Sequence, residues 1–253
     1  MKTFRQDKLA VKVADTRGEM GRIAAADIRE RIIALLQVKS SVHMIFAAAP
    51  SQNEVLASLL AYEDIEWERV CAYHMDEYIG LREEDADKSF GTYLTEHIFG
   101  KAPFRSIHLI RSTESDAEAE CLRYAQILKN NPIDIVVMGI GENGHIAFND
   151  PPVADFQDEK TVKVVKLDEI CRQQQVNDGC FSSIDRVPTH AITLTCPALA
   201  SAEYLFCIVP APTKAEAVYH TLHDEISERC PATILRTHEN AVLYLDGDSS
   251  ALL

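Results

Sequence analysis

The sequence predicts an α/β protein built on a mostly parallel β-sheet that is covered by helices on both faces. Strand-type segments alternate with segments of helical periodicity along the chain. The strand-type segments are continuously apolar, which is typical of strands buried on both faces of a parallel sheet. No low-complexity linker and no internal repeat interrupts this pattern, so the 253 residues are expected to form one domain over 1–253.

Each element rests on its own pattern. Apolar residues recur at helical spacing over 18–38, and the run VHMIFAAA at 42–49 predicts a buried strand. Up to position 141 the sequence further predicts a short helix ending near Leu60, a strand over 68–78, a helix near 90–98, an apolar strand at 106–111, a helix over 114–128 and a strand over 133–141. Beyond Pro152 it predicts strands at 161–167, 190–195 and 202–209, a helix after Pro212 and a last strand at 241–246.

Composition excludes some partners. Lys and Arg number 25 against 39 Asp and Glu, which gives a formal net charge of −14. Nucleic acid and acidic membrane surfaces are therefore not expected as partners, because a polyanion requires a basic surface. A small anionic ligand remains compatible with this charge, since it needs only one or two well-placed cations.

The start of the chain and its cysteines indicate the compartment. The opening MKTFRQDKLAVKVAD contains no apolar run of signal-peptide length, and no stretch has the apolar length of a membrane span. The seven cysteines are odd in number and form no CxxC pair, so neither a disulfide framework nor a zinc knuckle is predicted. A cytoplasmic protein with reduced cysteines is the expectation.

The segment GIGENGHIAFNDPP at 139–152 follows the most strongly predicted strand. Its glycines match G-x-G-x-x-G, yet two prolines follow instead of a helix, and an apolar run stands where a dinucleotide site needs an acidic residue. A nucleotide site is therefore not expected. The loop presents His145, Asn149 and Asp150, and its backbone could approach an oxyanion or phosphate. A plain turn with a surface histidine is the alternative.

The segment HMDEYIGL at 74–81 also ends an apolar strand. Asp76 and Glu77 suit a general base in a cleft, while an acidic turn that caps the next helix is the alternative. Ligands of parallel α/β sheets gather at the carboxyl ends of strands. We therefore expect this segment and the glycine loop to share a site.

Together the two segments resemble the paired motifs of the glucosamine-6-phosphate deaminase (isomerase) family. The similarity continues through PTKAEAV at 212–218 and covers most of the chain, from about Met20 to Asp246. The resemblance implies a three-layer Rossmann-like fold without a nucleotide site. It also implies the conversion of glucosamine 6-phosphate and water to fructose 6-phosphate and ammonia.

The resemblance assigns the proton-transfer residues. Asp76 matches the base that moves a proton between C2 and C1 through an enediol or enolamine. His145 matches the histidine that opens the sugar ring, a role suited to imidazole because its ordinary pKa lies near neutrality. Asp150 takes the place of an assisting Glu, and Asn143 stands where the family has Asp. Asp150 or Glu142 is expected to pair with His145 and so offset the neutral Asn143.

The resemblance also assigns a phosphate site. Lys214 matches a phosphate-contacting lysine, and Arg172 is the best candidate for a second cation. The family's glycine- and threonine-rich phosphate loop is replaced by FAAAPSQNE at 46–54, where Ser51 and Gln52 could still donate hydrogen bonds. Gly144 of the glycine loop is a further candidate for this site.

Two other functions stay open at this stage. A 6-phosphogluconolactonase-like hydrolase shares the fold and a similar glycine loop, but that family continues differently where this chain has IAFNDPP. A catalytically weakened sugar-phosphate sensor is the other, motivated by Asn143 and the altered phosphate loop. No metal-ligand spacing and no nicotinamide, flavin or pyridoxal motif is present, so chemistry without metal or cofactor is expected. The expected partner is a small sugar phosphate, and family members are often oligomeric, so a homo-oligomer is also an expectation.

Overall fold

The central element of the protein is an eight-stranded sheet, seen in a computed structural model that describes residues 1–111 and 116–253. The strands are β1 (Lys2–Gln6), β2 (Leu9–Val13), β3 (Val42–Phe46), β4 (Val70–His74), β5 (Asp76–Ile79), β6 (Ser106–His108), β7 (Ile135–Met138), β8 (Val162–Lys166), β9 (His190–Leu194), β10 (Tyr204–Val209) and β11 (Ala241–Leu245). The helices are α1 (Arg17–Leu36), α2 (Asn53–Leu60), α3 (Phe90–Leu94), α4 (Ala117–Asn130), α5 (Glu169–Asn177), α6 (Cys196–Ala200) and α7 (Ala215–His223).

Strand order fixes where a ligand can bind. The large sheet runs β1-β2-β11-β10-β7-β3-β4-β6 and is parallel except for the β1–β2 hairpin. From β3 the chain moves outward through β4 to β6, whereas from β7 it moves in the other direction through β10 to β11. Such a reversal leaves a crevice at the carboxyl ends of the two strands between which it occurs. Here these strands are β3 and β7.

Apolar side chains cover both faces of this sheet. Because successive side chains of a strand point to opposite faces, Met44 and Phe46 pack in one cluster of buried residues and Ile45 packs in another. The neighbouring strand β7 repeats the pattern, with Val137 in the first cluster and Val136 in the second. The predicted mostly parallel sheet with helices on both faces is confirmed.

The predicted strand over 68–78 is in fact two strands in two different sheets. β4 ends at His74, and the backbone carbonyl of Met75 accepts a hydrogen bond from the N–H of Leu194 at 2.8 Å. The chain then continues as β5, which pairs antiparallel with β9 in a small sheet of order β5-β9-β8. The chain therefore leaves the large sheet after His74, which places Asp76 at the carboxyl edge of that sheet.

Other elements differ from the prediction or were not predicted. The hairpin of β1 and β2 and the polar helix α5 have no counterpart in the predicted pattern. Helix α4 begins at Ala117, where the Asp116 carboxylate accepts the N–H of Ala119; positions 114 and 115 of the predicted helix lie outside the described residues. In the described ranges, no helix combines the length and apolar character that crossing a membrane requires.

Candidate active site

A cavity of about 130 Å³ opens at the carboxyl ends of the four central strands β10, β7, β3 and β4. The segments that follow β3, β4, β7 and β10 all contribute to its wall, which is where the strand-end rule directs the search. The residues from these segments that line the cavity are Ala47, Ala48, Ala49, Pro50, Ser51, Met75, Asp76, Gly139, Ile140, Gly141, Pro210, Ala211, Thr213 and Lys214.

Asp76 is a buried carboxylate on the cavity wall without a side-chain partner. It is 7% exposed, and its carboxylate makes no hydrogen bond or ion pair within the described ranges. Burial raises its pKa well above the ordinary value, and the neighbouring charge of Glu77 raises it further. A carboxyl group in this state is a stronger base, once ionised, than an exposed one.

Glu77, beside it, has a structural role instead. Its carboxylate accepts the backbone N–H groups of Phe90 at 3.0 Å and Gly91 at 2.9 Å and so caps the start of α3. Burial raises the pKa of Glu77 to about 7 even though these hydrogen bonds favour the ionised form. Of the two acids in HMDEYIGL, Asp76 faces the cavity and Glu77 caps the following helix.

His145 reaches the cavity from the glycine loop, and its inner nitrogen is held by two acceptors. Nδ1 lies 2.7 Å from Oδ1 of Asn143 and 3.0 Å from Oδ1 of Asp150. Since both neighbours are acceptors, Nδ1 carries a proton and donates it to them. Nε2 then stays available to a ligand, because it has no hydrogen-bond partner in the part of the chain that is described.

Asp150 lies behind the histidine and is 1% exposed. Burial alone would raise its pKa, but the hydrogen bond and charge of His145 and a 3.0 Å hydrogen bond from Nδ2 of Asn143 together lower it. Asp150 is therefore an ionised partner for the imidazole. Of the two carboxylates expected to pair with His145, Asp150 is the one beside it, whereas the backbone N–H of Glu142 donates to the side-chain amide oxygen of Gln174; that Asp150 offsets the neutral Asn143 stays a prediction.

Two glycines of this loop stand where a larger residue would clash with a neighbouring side chain. A Cβ added at Gly141 would lie 2.1 Å from Cε1 of His145, so the imidazole can occupy its place only over a glycine. Gly144 has φ of +78°, and an added Cβ would lie 2.6 Å from Sγ of Cys230. Gly144 does not line the cavity, which corrects its predicted placement in the phosphate site.

Lys214 forms another part of the wall, in the turn before α7. Lys214 is 6% exposed, and its Nζ is buried without a hydrogen-bond partner among the described residues. Burial lowers its pKa, and the charges of Asp178 and Glu142 partly oppose this. A buried ammonium without a partner at a cavity is a ready binding group for an anion. Ser51 also lines the cavity.

Arg172 is not brought to the cavity. Its Nη2 donates to the backbone carbonyls of Ile184 at 2.7 Å and Val187 at 2.9 Å. Gln174 of α5 and Asp178, the residue that follows this helix, do line the cavity. Gln175, which lies on the same side of α5 as Arg172, also lines the cavity, so it is the binding of the Arg172 guanidinium to the 184–187 segment, and not the helix face, that keeps it out of the cavity. This corrects the predicted placement of Arg172 beside Lys214.

Gln52 is also displaced from its predicted place. It is completely buried, and its Nε2 donates to Oγ of Ser51 at 3.0 Å and to the carbonyl of Ile208 at 3.3 Å. An added Cβ on Gly139 would lie 3.1 Å from the same Nε2. Gln52 thus supports the cavity wall from behind and does not line it.

Comparison with known proteins agrees with this geometry. The family model described as glucosamine-6-phosphate isomerases/6-phosphogluconolactonase matches residues 15–244. The chain belongs to this family. A glucosamine-6-phosphate deaminase of Listeria monocytogenes is 34% identical over 212 residues, which are 84% of this chain and 88% of the relative. One of Bacillus cereus is 38% identical over 184 residues, 73% of this chain and 68% of the relative.

Solved structures of the family show the same fold. A monomeric glucosamine-6-phosphate deaminase superposes with a TM-score of 0.87 at 29% identity, covering 96% of this chain and 99% of that one. A 6-phosphogluconolactonase of Thermotoga maritima superposes with a TM-score of 0.75 at 18% identity, covering 94% and 99%. The lactonase shares the fold alone at this identity. The resemblance inferred from the sequence motifs is confirmed.

In this member of the family, several cavity residues were not predicted. Arg17, the first residue of α1, lines the cavity, and its Nε lies 2.7 Å from Oε1 of Glu54. Gln174, Asp178 and Cys180 line it from α5 and beyond. The polar run CRQQQVNDG was the only sequence signal for this group, because their approach to the cavity depends on how helices pack across layers.

Proposed function

We propose that this protein is an aminosugar-6-phosphate deaminase that converts glucosamine 6-phosphate and water to fructose 6-phosphate and ammonia. The observation that carries the proposal is the meeting of three groups at one cavity: the unpaired carboxylate of Asp76, the partnered imidazole of His145 and the unpartnered ammonium of Lys214. The names of the Listeria and Bacillus relatives support the same activity.

His145 opens the sugar ring in this mechanism. His145 lines the cavity and its Nδ1 is held by Asn143 and Asp150, so Nε2 is the nitrogen that takes the proton of the C1 hydroxyl and returns one to the ring oxygen of the sugar. The positive charge that forms on the imidazole of His145 is stabilised by Asp150, which accepts a hydrogen bond from Nδ1. Asn143 holds the imidazole in one orientation. The open form exposes the aldehyde at C1 beside the amine-bearing C2.

Asp76 then moves the proton that converts the aldose to the ketose. Its carboxylate breaks the C2–H bond while one proton passes from the C2 ammonium to the C1 oxygen, giving an enolamine, and the Asp76 carboxyl group then returns its proton to C1, giving a protonated imine at C2. Water adds to this imine and ammonia leaves, so the carbonyl forms at C2 and the atoms balance. Burial suits Asp76 to this step, because its raised pKa brings the strength of the base closer to that of the carbon acid.

The phosphate is proposed to bind at Lys214 and Ser51, with Arg17 as the second cation instead of Arg172. Lys214 and Arg17 are the two Lys or Arg side chains on the described cavity wall. Asp178 on the same wall adds a negative charge near Lys214. These two local cations reconcile an anionic substrate with a protein whose net charge is −14.

The test is purified protein with glucosamine 6-phosphate, with ammonia and fructose 6-phosphate both measured. Equal amounts of the two products are expected, and unphosphorylated glucosamine should give at least tenfold less, because it lacks the group that the buried cation binds. Hydrolysis of 6-phosphogluconolactone with no ammonia from the aminosugar would contradict the proposal and favour the hydrolase. Binding of the aminosugar phosphate with no product would favour the sensor.

A matched pair of variants separates the cations in the same assay. Lys214→Met should raise KM for glucosamine 6-phosphate by about 10–100-fold, the effect of one lost charge-assisted hydrogen bond. Arg172→Met, whose guanidinium binds two backbone carbonyls outside the cavity, should leave KM nearly unchanged. An equal rise of KM in both variants would contradict the assignment.

A further inference from the structure

A cluster of three side chains behind the cavity has the donors of a transition-metal site. A ring nitrogen of His145, a carboxylate oxygen of Asp150 and Sγ of Cys171 all lie within 4.8 Å of one another, and all three residues are buried. The residues are far apart in the sequence, at positions 145, 150 and 171. Spacing along the chain could not have indicated such a site.

A second observation points to a missing ligand at the same place. Oδ1 of Asp150 is bound by His145 and Asn143, whereas no N–H or O–H group of the described residues donates to the buried Oδ2. Asp150 is 1% exposed, so water does not replace such a donor. The thiol of Cys171 is completely buried and is a further hydrogen-bond donor to this carboxylate. Because a thiol is a weak donor, the buried carboxylate is left poorly satisfied, which is costly unless a stronger partner binds it.

We propose that His145, Asp150 and Cys171 form a binding site for a zinc-type divalent cation. Sulfur, nitrogen and oxygen donors together select zinc over magnesium or calcium, which prefer oxygen ligands alone. One zinc ion holds ligand atoms at about 2.0–2.3 Å, so small side-chain rotations bring the three donors to bonding distance. A fourth position is left for water.

Binding changes the protons of the site. Zinc takes the thiolate, so the proton of Cys171 leaves to solvent, and the imidazole nitrogen that binds gives up any proton it carries. His145 and Asp150 cannot bind zinc and take part in ring opening at once. Zinc is therefore expected to inhibit the deaminase reaction; this consequence, unlike the binding itself, rests on the proposed function.

Zinc binding is measured on the full reduced chain by equilibrium dialysis with zinc chloride alone, in a buffer without phosphate. One zinc per chain is expected. Cys171→Ser should weaken binding at least about tenfold, since even outer partners of a metal site contribute that factor. The matched control is Cys180→Ser, because Cys180 lines the cavity but lies outside the cluster and should bind zinc as the wild type does.

Cobalt(II) gives a second readout. A thiolate-to-cobalt absorption band is expected in the wild type and in Cys180→Ser and should be missing in Cys171→Ser. Thermal unfolding of each variant shows that it is folded, and zinc should raise Tm in the wild type and not in Cys171→Ser. If Cys171→Ser does not fold, His145→Gln replaces it, with the same loss of binding expected.

The proposal is overturned if the wild type binds no zinc, if Cys171→Ser binds it as tightly as the wild type, or if the loss follows Cys180→Ser instead. Magnesium at the same concentration should not displace zinc, and its doing so would also contradict the donor argument. Because binding is measured without substrate, these results do not depend on whether the chain is a deaminase.

Discussion

Two buried aspartates at this site have opposite environments. Asp76 has no side-chain partner in the ranges that the structure describes, and burial raises its pKa well above the ordinary value. Asp150 is enclosed even more fully, yet hydrogen bonds from His145 and Asn143 lower its pKa despite burial. Two buried aspartates therefore have different states, a proton acceptor in one place and an ionised carboxylate in the other. The partners decide which of the two an aspartate becomes.

The contrast extends to stability. A raised pKa means that ionised Asp76 lowers the free energy of unfolding. This loss is absent in acid and grows as pH rises from the ordinary pKa of aspartate to the raised pKa in the folded protein. A lowered pKa means that ionised Asp150 favours folding above the ordinary value, and this contribution is lost as pH falls through the lowered one. Variants at the two positions should thus change stability in opposite directions.

The largest effect is expected for Asp76→Asn. Removing the base should lower kcat/KM for glucosamine 6-phosphate by about 10³–10⁴-fold. The free energy of unfolding at pH 8 should stay equal or rise, because a buried unpaired charge is gone. Urea unfolding at pH 8 and in acid checks this, and the gain should vanish in acid. A less stable variant at pH 8 would contradict the assigned environment of Asp76.

An intermediate effect is expected for Asp150→Asn. The imidazole keeps Asn143 as an acceptor but loses its anion, so kcat/KM should fall about 10²-fold. The free energy of unfolding should fall at pH 7, and the gap to the wild type should close as pH drops through the lowered pKa of Asp150. A gap that is independent of pH would show that Asp150 is not ionised in the folded protein.

The smallest effect is expected for Asn143→Asp, which introduces the residue that the sequence resemblance implies at this position. The acceptor for His145 is kept, but the donor to Asp150 is lost and two carboxylates come together. A change in kcat/KM of less than about tenfold is expected, with a lower Tm at pH 8 that recovers on acidification. A gain of a hundredfold in rate would mean that Asn143 impairs the wild-type enzyme.

Much of this site could be predicted from strand ends and motifs. Asp76, His145, Lys214 and Ser51 follow apolar strands, and parallel strands bring their carboxyl ends to one edge. The central sheet was predictable for the same reason, since continuous apolar runs separated by helices leave few arrangements. Expectations of one domain over 1–253, of a cytoplasmic location and of a homo-oligomer stay predictions.

The other features of the site and the fold depend on how helices and strands pack against one another, which patterns in neighbouring residues do not show. Arg172 misses the cavity because its guanidinium binds the backbone carbonyls of Ile184 and Val187. Arg17 reaches it because α1 begins at that edge of the sheet. The split of 68–78 into β4 and β5 was hidden because an apolar run does not show which sheet a strand joins.

The most direct test of the account follows the proton that Asp76 is proposed to move. Glucosamine 6-phosphate deuterated at C2 is supplied to the wild type and to Asp76→Asn, and ammonia release and the label at C1 of fructose 6-phosphate are measured. The wild type should release ammonia more slowly than with unlabelled substrate and place part of the deuterium at C1. Asp76→Asn should do neither at a measurable rate. Equal ammonia release by the two proteins would contradict the central claim.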